Sequence, residues 1–186
     1  MITVLSPAKT LDYSVNYTDK HTVPSFLPKS SQLVKTLKAK EPSEIASLMG
    51  LSDKLASLNF DRYQSWNASK KLSNTAKPAL LVFKGDVYQG LQAEDFNKQD
   101  MTFAQKHLRI LSGLYGALKP LDVMKPYRLE MGTKLQINGS KNLYEFWGDT
   151  VRDSVLSDSN TLINLASNEY YNCLLYTSDA ADEELR

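Results

Sequence analysis

Charged side chains occur in short segments that directly follow predicted strands. Lysine and arginine can hold a phosphate group, and carboxylates can take up or release protons in acid and base catalysis. Because loops after strands form the ligand sites of many α/β proteins, these side chains could converge on one cleft. Such a cleft would take a small phosphorylated or nucleotide-like substrate, or another small anionic ligand. The candidate residues are Lys9, Lys84, Asp86, Arg128, Glu130 and Glu169.

Each of these segments also has a simpler structural interpretation. The segment around Lys9 is typical of a surface loop, and the charges of Lys84 and Asp86 could be solvated in a turn. Arg128 has a glutamate two residues further on, on the same side of an extended segment, and such neighbours commonly form an ion pair. Ser167, two residues before Glu169, is a natural helix cap, which gives the segment around Glu169 a structural role. Enzyme activity therefore stays open as the less favoured class, and no catalytic residue is assigned.

A second candidate site is the glycine-bearing segment 107–121, with the sequence HLRILSGLYGALKPL. We expect a helix to end at Gly113 and the chain to turn before another apolar segment. This pattern is similar to a helix-hairpin-helix motif, in which backbone N–H groups of the hairpin bind phosphate. Such contacts predict DNA binding that is independent of sequence and sensitive to salt. The alternative is a glycine-capped helix followed by a packed turn, and the pattern alone favours this alternative. The DNA-binding residues would be Arg109, Gly113, Leu114, Tyr115, Gly116 and Lys119.

The residues that usually bind metals or react with peroxide are scarce. His21 and His107 are the two histidines, and Cys173 is the one cysteine. A zinc site built from Cys and His, or an iron site built from two His and a carboxylate, is disfavoured by this count, and we predict no metal and no cofactor. Thiol peroxidase chemistry needs a cysteine of low pKa in a prepared pocket and is also disfavoured.

The composition is that of an ordinary globular protein. The chain has 186 residues, of which 42% are hydrophobic and 23% charged, and its net charge is +1. This mild charge permits a local basic patch but falls short of the strongly basic surface typical of nucleic-acid-binding domains. The sequence has no apolar run of the roughly 20 residues that a membrane helix needs, and it starts without a signal-peptide pattern. We predict a cytoplasmic protein with no membrane partner.

Hydrophobic periodicity predicts strands alternating with helices. Leucines at helical spacing indicate two or three short helices between Pro28 and Trp66. The continuous apolar run Ala79–Phe83 is the best candidate for a central strand. Asp100 could cap a helix whose inward positions include Ala104 and Leu108. Further elements are strands at 2–5, 134–137 and 161–165 and a helix at about 142–156. We therefore expect an α+β fold, a mixed sheet with surrounding helices, without a visible domain boundary.

Six short motifs in one order carry a family resemblance. In single-letter code they are SPAKT, FKGDVYxGL, HLRxLSGLYG, PYRLEMG, LYxFWG and NLASxEY, and they extend from Met1 to about Asn172. Each motif is modest, but six in this order are highly specific. On these residues the chain resembles the YaaA family of peroxide stress proteins.

The resemblance implies more than the residues alone predict. It implies a bacterial cytosolic protein that is induced by hydrogen peroxide and limits damage by lowering unincorporated iron. It also implies an α+β fold with a helix-hairpin-helix element and a positively charged cleft that binds DNA.

The end of the chain departs from the family pattern. Family members continue for several tens of residues with a basic segment, whereas residues 173–186 here have a foreign-looking sequence. We therefore expect residues 1–172 to form the N-terminal part of a longer family domain, an incomplete domain, and residues 173–186 to be a non-native tail. Resequencing the parent locus would test this expectation.

Overall fold

The computed structural model describes residues 1–175, which form an α+β fold. Its elements in chain order are β1 (Ile2–Leu5), β2 (Thr10–Leu11), α1 (Leu27–Lys38), α2 (Pro42–Met49), α3 (Asp53–Ser65), β3 (Lys77–Pro78), α4 (Ala79–Val82), β4 (Phe83–Lys84), α5 (Asp86–Leu91), a 3₁₀ turn (Ala93–Asp95), α6 (Lys98–His107), β5 (Leu108–Ser112), β6 (Gly116–Leu118), β7 (Val123–Met124), α7 (Leu143–Trp147), α8 (Asp149–Ser157), β8 (Leu162–Asn164) and α9 (Asn168–Leu175). Every helix in this part of the chain is too short or too polar to cross a bilayer.

A four-stranded mixed sheet lies at the centre, in the order β6-β5-β1-β8. β1 runs parallel to both β5 and β8, and β6 returns antiparallel to β5. Two further pairs of short strands, β2 with β4 and β3 with β7, lie outside this sheet. The predicted α+β fold with a mixed sheet is therefore confirmed.

The helices between residues 27 and 65 follow the predicted leucine spacing. α1 has proline in its first turn and buries one face, including Leu33 and Leu37. α2 begins with a capping box between Glu41 and Glu44 and ends at Gly50 in the left-handed region. The capping box and the left-handed glycine are local signals that mark the two ends of α2.

Several predicted elements differ from the structure. The run Ala79–Phe83 is fully buried, but its first four residues form the short helix α4 and Phe83 begins β4, because a brief apolar run fits a buried helix as well as a buried strand. α6 starts at Lys98 and is capped by the side chain of Asn97, and Asp100 is the reciprocal partner in the capping box. The predicted helix at 142–156 is broken into α7 and α8 at Gly148, where φ is 48°.

The predicted boundary between domain and tail falls inside α9. Cys173 and Leu174 are buried against the core at the end of that helix. Residues 176–186, the rest of the predicted tail, lie outside the described residues.

Candidate functional site

The segment expected to bind DNA forms a β-hairpin. Residues 108–112 are strand β5 and residues 116–118 are strand β6, paired antiparallel with Ser112 opposite Gly116. The predicted helix ending at Gly113 is wrong, since α6 already ends at His107 and the chain then pairs with β1. A helix-hairpin-helix element is therefore not formed by this segment.

Arg109 is held inside the protein. Its side chain is 6% exposed, and its Nε donates to Asp158 Oδ2 at 3.1 Å. Its Nη1 donates to the carbonyl oxygens of Gln105 and Leu108 at 3.1 and 2.6 Å. The guanidinium is occupied by protein partners, which leaves it unsuited to contact a nucleic acid phosphate.

The turn between β5 and β6 is equally enclosed. Leu114 and Tyr115 are 0% and 1% exposed, and the N–H of Tyr115 donates to Ser112 Oγ. Added side-chain atoms at Gly113 would collide with the backbone of Leu129, and at Gly116 with the ring of Trp147. These glycines allow close packing and do not present amides to solvent.

Lys119, the last residue of the predicted DNA site, lies beyond β6. Its backbone N–H donates to Asp122 Oδ2 at 2.8 Å, which closes a tight turn. Its position therefore fits a structural turn, the alternative that the pattern favoured.

A cleft lies at the carboxyl edge of the parallel strands. β1 is flanked by β5 on one side and by β8 on the other, so the loops after these strands meet at a topological switch point. In open α/β sheets, ligands commonly bind at such a point. The N–H of Ser167, after β8, donates to Oγ of Ser6, after β1, at 2.9 Å. Tyr88 also donates to the carbonyl oxygen of Ser6 at 2.7 Å. These bonds hold the cleft walls together.

Four of the six charged candidates lie in this cleft. One cavity of about 60 Å³ is lined by Lys9, Arg128, Glu130 and Glu169 together with Tyr127 and Tyr170. An adjoining cavity of about 230 Å³ shares Arg128, Glu130 and Glu169 and adds Leu48 and Met49. The three shared residues form the wall between the two cavities.

Glu130 bridges two cations in the cleft. Its Oε1 lies 3.0 Å from Arg128 Nη2 and 3.3 Å from Lys9 Nζ. The predicted pairing of Arg128 with Glu130 is therefore present, and the ion pair extends to Lys9. Arg128 Nε is buried and has no hydrogen-bond partner within the described residues. A buried N–H donor without an acceptor is costly, and this one could donate to a bound anion.

Glu169 is fixed by a backbone contact. Its Oε1 accepts a hydrogen bond from the N–H of Gly132 at 2.9 Å. A Cβ at position 132 would lie 3.2 Å from that oxygen, so glycine permits the close approach. The carboxylate is thereby oriented at the wall of the cleft.

Lys84 and Asp86 lie apart from these four residues. Lys84 Nζ pairs with Glu94 Oε1 at 3.4 Å, and Asp86 is exposed in the first turn of α5. Neither residue lines the two cavities. The six candidates therefore do not share one cleft, because Lys84 reaches toward the 3₁₀ segment and Asp86 lies exposed on α5.

Sequence reasoning missed a second arginine near the cleft. Burial lowers the pKa of the Arg62 guanidinium, and the nearby positive charge of Arg128 acts in the same direction. Tyr63, next to it on α3, donates a hydrogen bond to the carbonyl oxygen of Arg128. Burial raises the pKa of the Tyr63 hydroxyl, which remains neutral at physiological pH. These residues are separated from Arg128 by more than 60 positions, and no local pattern connects them.

Metal ligands are not clustered in the part of the chain that the structure describes. Residues 1–175 hold no group of three or more His, Cys, Asp or Glu side chains arranged to bind a metal ion.

Two comparisons place the chain among known proteins. The family model described as "Peroxide stress protein YaaA" matches residues 1–181. A "UPF0246 protein" from Hahella chejuensis (strain KCTC 2396) is 54% identical over 177 residues, which cover 92% of this chain and 69% of that relative. With a family match over nearly its whole length and a relative of this identity, the chain belongs to the YaaA family of peroxide stress proteins.

Proposed function

We propose that this chain serves the peroxide stress response by binding a small anionic ligand in the cleft at the carboxyl edge of β1 and β8. Family membership supports the stress role, and the geometry of the cleft supports the ligand. The proposal includes the effect on iron that the sequence resemblance implies: binding of the ligand would limit unincorporated iron in the cell.

One observation carries the anionic ligand. Arg128 has a buried Nε without an acceptor, and Glu130 Oε1 already lies between Arg128 and Lys9. A carboxylate or phosphate oxygen could take the same position and also accept from Nε. Guanidinium groups bind such oxygens through two parallel hydrogen bonds.

The test measures binding of simple anions by calorimetry. Inorganic phosphate, adenosine monophosphate and propionate are titrated into the protein and into Lys9→Ala and Arg128→Gln variants. We expect at least one anion to bind, and each variant to weaken it about tenfold or more, since a hydrogen bond to a charged group contributes about 1.5 to 3 kcal/mol. Peroxide-treated cells carrying either variant should contain more unincorporated iron than cells carrying the unchanged protein.

Lys84→Ala is the matched control, because Lys84 is paired with Glu94 outside the cleft. Its affinity for the anions should equal that of the unchanged protein. Equal affinities in all four proteins, or no binding of any anion, would overturn the proposed ligand site.

DNA binding is a second candidate function, through a surface other than the β-hairpin. Lys35 and Lys38 of α1 line a shallow groove with Trp66. Burial lowers the pKa of the nearby Lys125 ammonium, and the charge of Lys38 adds to that effect. None of these three lysines is in an ion pair within residues 1–175. Unpaired lysines close together favour a polyanion such as DNA.

The DNA proposal is tested by a salt titration on duplex DNA. Replacing Lys35 and Lys38 together by alanine should reduce the slope of log affinity against log salt by about 2, because each lost phosphate contact releases about one counterion fewer. Lys54→Ala together with Lys98→Ala is a control of equal charge on other helices. A slope that falls equally in both double variants would contradict this surface.

A further inference from the structure

We infer that the ligand of the cleft is a small zwitterion of the α-amino acid class, with its carboxylate between Lys9 and Arg128 and its ammonium on Glu169. This inference rests on the proposed function and names the class of ligand. It follows from the balance of charges, from the position of two carboxylates and from the size and lining of the cavities.

The residues that line the two cavities carry both signs of charge in equal number. The charged residues that line the two cavities are two cations, Lys9 and Arg128, and two carboxylates, Glu130 and Glu169; Lys9 lines the smaller cavity, and the other three line both. A polyphosphate would meet the two carboxylates at close range, where like charges repel strongly because water is partly excluded. A ligand with one anionic and one cationic group satisfies both signs.

Glu169 has the features of a receptor for a cation. Its Oε1 is engaged by the N–H of Gly132, which orients the carboxylate, while its Oε2 has no partner within residues 1–175. Ammonium groups form short, strong hydrogen bonds with such a fixed carboxylate oxygen. The hydrogen bond from the N–H of Gly132 favours this orientation of the side chain.

Glu130 occupies the position expected for the carboxylate of the ligand. One of its oxygens contacts both Lys9 and Arg128. This contact satisfies Nη2 of Arg128 but leaves Nε of the same guanidinium without an acceptor. A ligand carboxylate could bind Nε and a terminal nitrogen side by side and thereby replace Glu130. Glu130 is then an internal counter-ion that the ligand displaces.

The size of the cavities fits an amino acid better than a nucleotide. Their volumes are about 60 and 230 Å³, each below the range of roughly 300 to 1,000 Å³ that drug-sized ligands occupy. The charged residues lie in the wall that the cavities share. Leu48 and Met49 line the larger cavity, so the side chain of the ligand would be apolar or a thioether.

The experiment compares amino acids with the same molecules lacking the amino group. The twenty common amino acids are screened by thermal shift, and each hit is titrated by calorimetry beside its desamino acid, for example L-leucine beside 4-methylpentanoate. We expect at least one amino acid to bind ten times more tightly than its desamino acid. Glu169→Gln should reduce that ratio to within twofold of one, and the affinity of the desamino acid should not fall, because the change removes a negative charge near its carboxylate.

A second variant and a control complete the test. Glu130→Gln should strengthen the binding of the amino acid and of its desamino acid at least threefold, because it removes the competing carboxylate. The ratio of the two affinities should stay unchanged. This variant serves as an independent readout if Glu169→Gln does not fold. Glu94→Gln, which removes an exposed carboxylate outside the cleft, should change neither affinity.

The possible failures separate this inference from the proposed function. If amino acids and desamino acids bind equally, or if only phosphate or adenosine monophosphate binds, the zwitterion is wrong and the anion site stands. If neither these acids nor those anions bind, both proposals fall.

Discussion

The indole Nε1–H of Trp147 donates a hydrogen bond of 3.0 Å to the carbonyl oxygen of Gly113. Trp147 is 1% exposed and lies on α7, so this bond joins the turn of the β5-β6 hairpin to a helix 34 residues further along the chain. The glycine-rich segment is therefore part of the core, and its glycines matter for stability.

Gly113→Ala should destabilise the fold by about 3 kcal/mol. A Cβ at this position would lie 2.3 Å from the carbonyl oxygen of Leu129, and backbone atoms on both sides would have to move. The free energy of unfolding from urea titration measures the loss. Gly90→Ala is the matched control, since nothing lies within 4 Å of its Cβ and α5 should gain up to about 1 kcal/mol from the better helix former. Equal stability of the two variants would contradict the close packing of Gly113.

Asp158→Asn should cost about 3 kcal/mol of stability. The change removes the direct ion-pair partner of the buried guanidinium of Arg109, and a buried charge that loses its partner is strongly unfavourable. Asp153→Asn is the control, because Asp153 pairs with Arg152 at the surface with 65% of its side chain exposed. Exposed pairs contribute little, so we expect a change below about 0.5 kcal/mol there. Thermal or urea unfolding of both variants provides the comparison.

The sequence predicted the parts of the fold that depend on local signals. The helices α1 to α3 follow from leucine spacing, and β1 follows from its apolar and β-branched residues. β5 could not be predicted, because Leu108 and Leu111 continue the helical period of α6. Pairing with β1, more than 100 residues away, overrides that local preference.

The candidate site was predictable to a similar extent. The spacing of Arg128 and Glu130 placed them on one side of an extended segment, and burial alternates along that segment in the structure. Which loops meet, however, depends on strand order, and strand order is set by contacts between distant residues. Lys84 illustrates the limit, since its partner Glu94 belongs to a 3₁₀ turn that the sequence did not indicate.

Gly132→Ala should change ligand selection more than stability. The added methyl would lie 3.2 Å from Glu169 Oε1, and this flexible carboxylate can shift by a few tenths of an ångström. We expect a loss of stability below about 1 kcal/mol, since no backbone atom has to move. The tenfold preference for an amino acid over its desamino acid should fall at least threefold in calorimetry. If the Gly132→Ala variant kept the whole tenfold preference for the amino acid, Gly132 would not hold Glu169 in position.

Cys173 should make stability depend on pH above about 9. Burial raises the pKa of its thiol from the ordinary 9.0 to about 12. The unfolded chain therefore loses this proton at lower pH than the folded protein, and the free energy of unfolding falls as pH rises through the window from 9 to 12. Between pH 9 and pH 10 the loss from this one group is about 1 kcal/mol.

Cys173→Ala isolates that contribution. Other groups that change charge near pH 10 are the same in both proteins, so the two are compared by urea unfolding at pH 8, 9 and 10. The stability of the unchanged protein should fall by about 1 kcal/mol more than that of the variant between pH 9 and pH 10. The thiolate is the reactive form of cysteine, and the raised pKa makes it scarce in the folded state. At pH 8 the thiol of the folded protein should therefore react with a disulfide reagent far more slowly than the thiol of the urea-unfolded chain. Parallel stability profiles together with rapid native labelling would mean that the thiol is accessible to solvent and is not buried at the end of α9.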